Sequence, residues 1–327
     1  MQVNELFRQS NTILLDGGMG TMLQAAGLKL GARPEELNIT DPALIEGIHG
    51  QYAAAGSRIV NANTFGASAH KLAGSAYTLE QVITAGIENC KRACAPYGAL
   101  TALDVGPLGE LLEPSGTLAF EDAVAEYARI VKAGEAAGAD LIFFETYTDL
   151  YELKAALLAA KENTHLPILA SMSFEAGGRT FTGCTVESFA ATARGLGADA
   201  VGINCSLGPK EIFPMAKRLA EAVPGNFPVF VKPNAGLPRA DGSGYDITPQ
   251  LFALQMKPYR ELHLFAAGGC CGTTPEFIKL LNGTFAGCTP GRPAHRMPSV
   301  LCTPVDTVTV DGITVVGERI NPTGKKR

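Results

Sequence analysis

The chain has 327 residues, of which 46% are hydrophobic and 18% charged, and its formal net charge is −5. Its length fits a single barrel domain of roughly 250 residues or more, followed by a tail, with a large buried core. The sequence has no long basic run, no apolar core within residues 1–10 that could act as a signal peptide, and no apolar stretch near the roughly 18 residues of a membrane span. We therefore expect a soluble, cytoplasmic protein that binds neither nucleic acid nor membranes.

Short, continuously apolar segments alternate with helical patterns along the chain. Continuous apolar character is typical of strands covered on both faces of a parallel sheet. The predicted strands are residues 13–15, 58–60, 99–103, 141–144, 167–170, 200–203, 228–231 and 262–265. Helix signals between them are the starts Thr40-Asp41-Pro42, Thr248-Pro249 and Thr274-Pro275, and helical spacing over 121–137 and 150–161. Eight strand–helix units favour a closed (β/α)8 barrel, a TIM barrel, over an open doubly wound sheet.

Polar residues follow each predicted strand. They are Asp16, Asn61, Asn63, Asp104, Glu145, Ser171, Asn204, Cys205, Lys232, Asn234, Cys270 and Cys271. The carboxyl ends of the strands of a TIM barrel converge on one mouth, where active sites lie. Capping of the next helix explains a residue such as Asp149 well, but it explains Cys205 or Glu145 poorly. We therefore expect the functional site at this mouth.

Three of the eight cysteines lie at predicted strand ends, Cys205 after the sixth strand and Cys270 and Cys271 after the eighth. Adjacent strand residues point to opposite faces, so the pair can reach one ion only if the backbone turns, which the flanking glycines permit. Three thiolates with an open fourth position would resemble a catalytic zinc site. The alternatives are three small buried hydrophobic side chains or a vicinal disulfide. The other five cysteines are expected to be structural, with Cys90 and Cys94 on one helix face.

Seven motifs occur in order between about residues 5 and 287. They are Leu15-Asp16-Gly17-Gly18-Met19-Gly20-Thr21, Asn63-Thr64-Phe65-Gly66, Asp104-Val105-Gly106-Pro107, Phe144-Glu145-Thr146, Gly202-Ile203-Asn204-Cys205-Ser206, Pro233-Asn234-Ala235-Gly236 and Gly268-Gly269-Cys270-Cys271-Gly272-Thr273-Thr274-Pro275. Together they closely resemble the homocysteine-binding N-terminal module of the cobalamin-dependent methionine synthases. They are more distantly similar to the betaine–homocysteine and S-methylmethionine–homocysteine methyltransferases.

The resemblance implies a (β/α)8 barrel over residues 1–287 that transfers a methyl group to the thiol of homocysteine, giving methionine. It also implies that Cys205, Cys270 and Cys271 bind Zn²⁺ and act in catalysis. Asn234 is then a candidate fourth ligand that the substrate sulfur displaces, and water is the alternative occupant. Zinc coordination favours a deprotonated thiol, so the reaction would need no dedicated general base.

Homocysteine also carries a carboxylate and an ammonium. Candidates to bind the carboxylate through backbone N–H groups are Gly17, Gly18, Met19 and Gly20. Glu145 and Asp16 are the candidate partners of the ammonium, and the resemblance favours Glu145 most firmly. Asn204 and Asn234 complete the expected substrate-binding residues.

The sequence changes character after residue 287. Four prolines between 288 and 311 predict a linker. Residues 313–321 predict a strand and a polar loop, similar to the first strand of the folate-binding barrel of the methionine synthase family. We therefore expect residues 312–327 to begin a folate-binding domain that is truncated here, or to form a C-terminal extension of a stand-alone enzyme.

The expected methyl donor is methylcobalamin carried on another module, in the same chain or a separate protein. Two alternatives remain. One is the same chemistry with S-methylmethionine or a betaine-type donor, and the other is a non-catalytic module that binds zinc or thiols.

Overall fold

Eight parallel strands form a closed barrel in which β1 also pairs with β8. The computed structural model describes residues 11–29, 31–239, 244–293, 297–310, 312–313 and 315. The strands are β1 Ile13–Leu15, β2 Ser57–Asn61, β3 Leu100–Val105, β4 Leu141–Tyr147, β5 Ile168–Met172, β6 Ala200–Asn204, β7 Val229–Lys232 and β8 Ala266–Ala267. The predicted TIM barrel is therefore confirmed.

Helices connect successive strands. They are α1 Met19–Ala25, α2 Leu37–Thr40, α3 Pro42–Ala54, α4 Leu79–Cys94, α5 Phe120–Ala136, α6 Leu150–Asn163, α7 Val186–Gly195, α8 Pro209–Glu221, α9 Pro249–Met256 and α10 Pro275–Phe285. The predicted helix starts are confirmed: the side chain of Asp41 accepts from the amide of Leu44, and Pro42 is the first residue of α3. Within the described part of the chain, no helix combines the length and apolar character needed to cross a membrane.

The eighth strand was predicted at the wrong place. Residues 262–265 were expected to form it, but β8 is only Ala266–Ala267, and Lys257–Leu262 is a 3-10 helix. His263 has a φ of 48°, in the left-handed region where a strand cannot continue. Leu264 and Phe265 are nevertheless buried, so their apolar character reflects packing at the entrance to the strand.

The barrel interior is filled by apolar side chains from the strands. Phe143 and Phe230 lie at its centre, with ring centroids 5.0 Å apart in an edge-to-face arrangement. Gly202 makes room for them, because a Cβ at this position would lie 2.3 Å from the ring of Phe230. The complete cluster is Ile13, Leu15, Ile59, Leu100, Ala102, Leu141, Phe143, Leu169, Ala200, Phe230, Phe265 and Ala266. This packed floor closes the barrel below its carboxyl-terminal mouth.

Part of the predicted linker forms a two-stranded antiparallel sheet, β9 Ser299–Cys302 with β10 Thr307–Val310. This hairpin packs on the barrel beside α7, where the carbonyl of Pro304 accepts from the amide of Thr185 at 3.1 Å. A cavity of about 390 Å³ lies between the hairpin and helices α6 and α7. The strand predicted after residue 312 falls outside the described residues, apart from Ile313 and Val315.

Candidate active site

Six barrel strands carry a buried polar side chain directly above the apolar interior. Side chains two residues apart on a strand share a face. Glu145 therefore lies above Phe143 on β4, and Lys232 lies above Phe230 on β7. The six residues, called the polar layer below, are Asn61, Asp104, Glu145, Ser171, Asn204 and Lys232. This layer forms the floor of the mouth.

Lys232 is the positive centre of the polar layer. Its Nζ lies 2.9 Å from Glu145 Oε2 and 3.0 Å from Asp16 Oδ1, and 4.9 Å from the centroid of the Phe143 ring. Asn61 donates to both carboxylates, through its backbone N–H to Asp16 Oδ2 at 2.7 Å and through Nδ2 to Glu145 Oε2 at 3.3 Å. Burial lowers the pKa of Lys232, but Asp16 and Glu145 outweigh this and hold it well above its usual range. Lys232 is therefore a buried cation fixed by two carboxylates.

Two opposing effects act on the pKa of Glu145, burial and the nearby ammonium of Lys232. Burial raises the pKa of Glu145 to about 7, and the nearby ammonium of Lys232 limits the rise. The pKa of Asp16 is also raised by burial, while Lys232 and the Asn61 amide counteract it. Lys232 thus limits the rise in the pKa of both carboxylates.

Asp104 differs from these two carboxylates. Its backbone is held by Thr64, whose hydroxyl donates to the Asp104 carbonyl at 2.8 Å and lies 3.1 Å from the Asp104 amide nitrogen. Its side chain is buried, and Oδ1 has no hydrogen-bond partner among the described residues. Burial and the negative charge of Glu145 raise the pKa of Asp104 well above its usual range. An unpartnered buried carboxylate oxygen is a costly feature outside a functional site.

The three strand-end cysteines converge at one side of the mouth. The sulfurs of Cys205, Cys270 and Cys271 all lie within 4.8 Å of one another, and those of Cys205 and Cys271 are 3.7 Å apart. Zn–S bonds of about 2.3 Å in a tetrahedron place sulfurs about 3.8 Å apart. The neighbouring thiols lower the pKa of Cys271 and raise the pKa of Cys205, so one of the three sulfurs is favoured as a thiolate. The three sulfurs therefore have the spacing and chemistry of a zinc site.

Unusual backbone conformations bring the cysteines together. Cys205 follows β6 with a φ of 62°, which turns its side chain out of the strand pattern. Gly272 has a φ of 79°, and a Cβ there would meet the ring of Tyr245 at 2.3 Å. This turn allows the adjacent residues Cys270 and Cys271 to face the same point, as the sequence predicted.

Asn204 holds the cysteine group from below. Its Nδ2 donates to Cys270 Sγ at 3.7 Å and to Thr146 Oγ1 at 2.8 Å. Its Oδ1 accepts from the Thr146 amide and the Ser171 hydroxyl, both at 2.9 Å. All these contacts are internal, and they fix the position of the Cys270 sulfur.

A cavity of about 340 Å³ joins the sulfurs to the charged part of the polar layer. Its walls include Asp16, Gly17, Gly18, Met19, Gly20, Glu35, Asn61, Asp104, Glu145, Cys205, Lys232, Tyr245, Cys270 and Cys271. The loop after β1 lies against the cysteine loop, since a Cβ at Gly18 would meet the carbonyl oxygen of Cys270 at 2.8 Å. The cavity is thus lined both by the three sulfurs and by the buried carboxylates of Asp16, Asp104 and Glu145.

The sequence profile of the homocysteine S-methyltransferase family matches residues 13–285. The chain belongs to this family. The match covers the barrel from β1 to the end of α10 and includes all three cysteines. The fold and the cysteine group described above are therefore those of a homocysteine S-methyltransferase.

Two relatives are methionine synthases. The protein from Mycobacterium tuberculosis is 32% identical over 337 residues, and that from Mycobacterium leprae is 32% identical over 344 residues. Each alignment covers 95% of this chain but only 28% of the relative, so the chain spans about 28% of the length of these proteins.

Solved structures of the Escherichia coli homocysteine methyltransferase MmuM share the fold. The oxidized form has a TM-score of 0.74 at 23% identity, covering 86% of this chain and 98% of that one. The metallated form has a TM-score of 0.71 at 24% identity, covering 86% and 99%.

Most residues predicted for this homocysteine S-methyltransferase site meet at the cavity. Asp16, the loop of residues 17–20, Glu145 and the three cysteines all line it. The Gly18 amide is already used, because it donates to the Thr273 carbonyl at 3.1 Å. Asn234 lies behind the cysteines, where its Oδ1 accepts from the Cys271 amide at 3.1 Å. Substrate contacts of Asn204 and Asn234, and zinc ligation by Asn234, stay predictions.

The sequence reasoning did not select three residues of this site. Asp104 and Lys232 are among the polar residues predicted at strand ends, but the sequence analysis gives them no role. Each lies two residues after an apolar residue that points into the barrel, Ala102 on β3 and Phe230 on β7, and this spacing marks them. Tyr245 lies in the loop after β7 and lines the cavity together with Cys271. Burial and the neighbouring Cys271 raise the pKa of Tyr245 to about 12. No pattern in the sequence marks this tyrosine.

Proposed function

We propose that this barrel transfers a methyl group to the sulfur of homocysteine, giving methionine, with zinc held by Cys205, Cys270 and Cys271. The observation that carries the proposal is one cavity lined both by the three-sulfur group and by buried carboxylates. Homocysteine has a thiol at one end and an ammonium and a carboxylate at the other. Membership of the homocysteine S-methyltransferase family supports the same assignment.

The donor set fits zinc, because three thiolates select soft or borderline divalent metals and zinc takes them in tetrahedral geometry. Bound zinc would favour the thiolate form of a substrate sulfur at neutral pH and so supply a nucleophile. The protein's own part is to position that sulfur. Asn204 donates to the Cys270 sulfur, and Tyr245 lines the cavity together with Cys271.

The polar end of the cavity would orient the amino acid part of the substrate. Met19 and Gly20 are the first two residues of α1, so their amides have no partner inside the helix and can donate to the substrate carboxylate. The carboxylates of the polar layer, Glu145 among them, would attract the ammonium. Because the site is largely buried, these charged contacts are only weakly screened by water.

The first test is Cys271→Ala, with Cys90→Ala as the matched control. Cys90 is a buried thiol of α4 whose sulfur lies 3.8 Å from that of Cys94, away from the mouth. We expect Cys271→Ala to lose bound zinc and methionine formation while keeping its circular dichroism spectrum, and Cys90→Ala to keep zinc and turnover. Full activity of metal-free Cys271→Ala protein would rule out the proposed role of the group.

We further propose that the methyl donor is methylcobalamin carried on another module, and that residues 288–311 link the barrel to a folate-binding domain beginning at residue 312. The methionine synthase relatives, of which this chain spans about 28%, support this reading. Methionine formation measured in parallel with methylcobalamin, S-methylmethionine and betaine tests it. Turnover with methylcobalamin alone supports the proposal, turnover with a small donor favours that alternative, and zinc binding without methionine from any donor favours a binding module.

A further inference from the structure

Two loops of the mouth are hydrogen-bonded directly to each other. One is the glycine loop, residues 16–20, and the other is the cysteine loop, residues 268–274. The Gly269 amide donates to the Asp16 carbonyl at 2.9 Å, and the Gly18 amide donates to the Thr273 carbonyl at 3.1 Å. The first loop contains the amides proposed to bind the substrate carboxylate, and the second carries two of the three sulfurs. Their relative position therefore sets the distance between the two ends of the site.

Tyr52 of α3 adds a side-chain contact to both loops. Its hydroxyl donates to the Thr273 carbonyl at 2.9 Å and lies 3.3 Å from the Gly18 carbonyl oxygen. A Cβ at Gly17 would lie 2.8 Å from the Tyr52 ring, so the missing side chain permits this close approach. Tyr52 is 1% exposed and is not among the described residues that line the cavity. It thus contacts both loops without being placed to touch a substrate.

The ring of Tyr52 belongs to the buried apolar core around the barrel. Packing in a protein core holds a side chain in one position, so the hydroxyl is a fixed point for the two loops. From Thr273 the contact continues towards the metal site, because the Thr273 hydroxyl donates to the Cys270 carbonyl at 2.6 Å. A change at the Tyr52 hydroxyl should therefore be felt at the cysteine loop and at the glycine loop together.

We propose that Tyr52 is a positioning residue that fixes the separation of the glycine loop from the cysteine loop, and so favours ligands that carry a thiol and an amino acid group together. This inference rests on the proposed homocysteine methyl transfer. A ligand bound at both ends gains affinity and the correct orientation only while the two subsites match its length. A ligand bound at one end does not depend on that separation.

The experiment compares homocysteine with two ligands that each fill only one end of the site. Norvaline has a methyl group in place of the thiol, and 1-propanethiol lacks the ammonium and the carboxylate. Their affinities are measured on the zinc-loaded chain by titration calorimetry, with displacement by homocysteine for the two weaker ligands. We expect Tyr52→Phe to weaken homocysteine binding about 5-fold, as loss of one hydrogen bond does. The affinities of the two one-ended ligands should change by less than about 2-fold.

Tyr127→Phe is the matched control. Tyr127 of α5 is also fully buried, and its hydroxyl donates to Glu152 of α6 at 2.9 Å, so the variant loses a comparable hydrogen bond between two helices. We expect it to leave all three affinities unchanged. If Tyr52→Phe does not fold, Thr21→Val tests the same separation, because the Thr21 hydroxyl of α1 accepts from the Gly272 amide at 2.9 Å.

Unchanged homocysteine affinity in the Tyr52 variant overturns the inference. An equal loss for homocysteine and either one-ended ligand also overturns it, because it would indicate damage to one end of the site and not a change in their separation. Failure of the wild-type, zinc-loaded protein to bind homocysteine would instead refute the proposed function. That outcome is measured before any variant is made, so the two failures are distinct.

Discussion

The floor of the barrel and its mouth are built from the same strands, one pleat apart, yet they differ in almost every physical respect. At the floor, Phe143 and Phe230 pack edge to face in a dry interior. Two residues further along the same strands, Glu145 and Lys232 form a buried ion pair. The comparison shows how a TIM barrel separates stability from function: burial of apolar area stabilises the floor, and that stability permits costly polar groups above it.

Backbone conformation follows the same division. Four non-glycine residues have a positive φ, among the residues that the structure describes, and three of them are at the mouth: Thr146, Cys205 and Ser206. Such conformations cost on the order of 1 kcal/mol each and persist where the surroundings determine them. Here the surroundings are the Asn204 hydrogen bonds and the cysteine loop. Cys205 carries one of the three sulfurs, and Thr146 accepts from Asn204, which contacts a second.

The largest effect is expected from Lys232→Met, which places an apolar side chain in the polar layer and so removes the difference between the floor and the mouth on β7. The change leaves the buried Asp16 and Glu145 without their counter-ion, and we expect it to lower the free energy of unfolding by about 3–5 kcal/mol at pH 7. Urea denaturation of the zinc-free protein measures it. Lys217→Met, at an exposed lysine of α8, is the control and should change stability by less than about 0.5 kcal/mol. Equal stability of the two variants would mean that the carboxylates do not need Lys232.

Two substitutions on β6 distinguish the role of the floor in stability from the role of the polar layer in zinc binding. Gly202→Ala adds a Cβ against the Phe230 ring at the floor, and we expect a loss of about 1–3 kcal/mol in stability with full zinc binding. Asn204→Ala, one pleat above, removes the contact to Cys270, and we expect zinc affinity to fall about 10- to 100-fold. Denaturation and competition with a chromogenic chelator measure the two effects. If Gly202→Ala weakened zinc binding as much as Asn204→Ala, the separation of the layers would be wrong.

The fold was predictable because continuous apolar strands and proline-started helices are local signals that the tertiary structure does not override. The eighth strand escaped prediction because the left-handed His263 breaks an apolar run, and a dihedral angle leaves no mark in composition. The meeting of Cys205 with Cys270 and Cys271 was implied by strand ends that converge on one mouth.

The pairing state of the carboxylates could not be predicted in the same way. Asp16, Asp104 and Glu145 are alike in sequence, and only the position of the Lys232 ammonium distinguishes Asp16 and Glu145, which form ion pairs with it, from Asp104, which forms no ion pair among the described residues. Sequence patterns identify which residues reach the mouth. They do not show which atoms are already used.

The smallest expected effect concerns a buried polar residue outside both layers. His49 of α3 is fully buried, neither ring nitrogen has a hydrogen-bond partner among the described residues, and burial lowers its pKa to about 3. The folded protein therefore keeps His49 neutral, whereas the unfolded chain takes up a proton below about pH 6.5. The contribution of neutral His49 to the free energy of unfolding is complete above pH 6.5 and falls as the pH decreases towards 3, by up to about 1.4 kcal/mol per pH unit.

Urea denaturation at pH 7.5 and 5.5 tests this. Between these two pH values, the free energy of unfolding should decrease by about 1 kcal/mol less for His49→Leu than for the wild type. Identical pH dependence in the two proteins would show that His49 takes up a proton in the folded state as readily as in the unfolded chain.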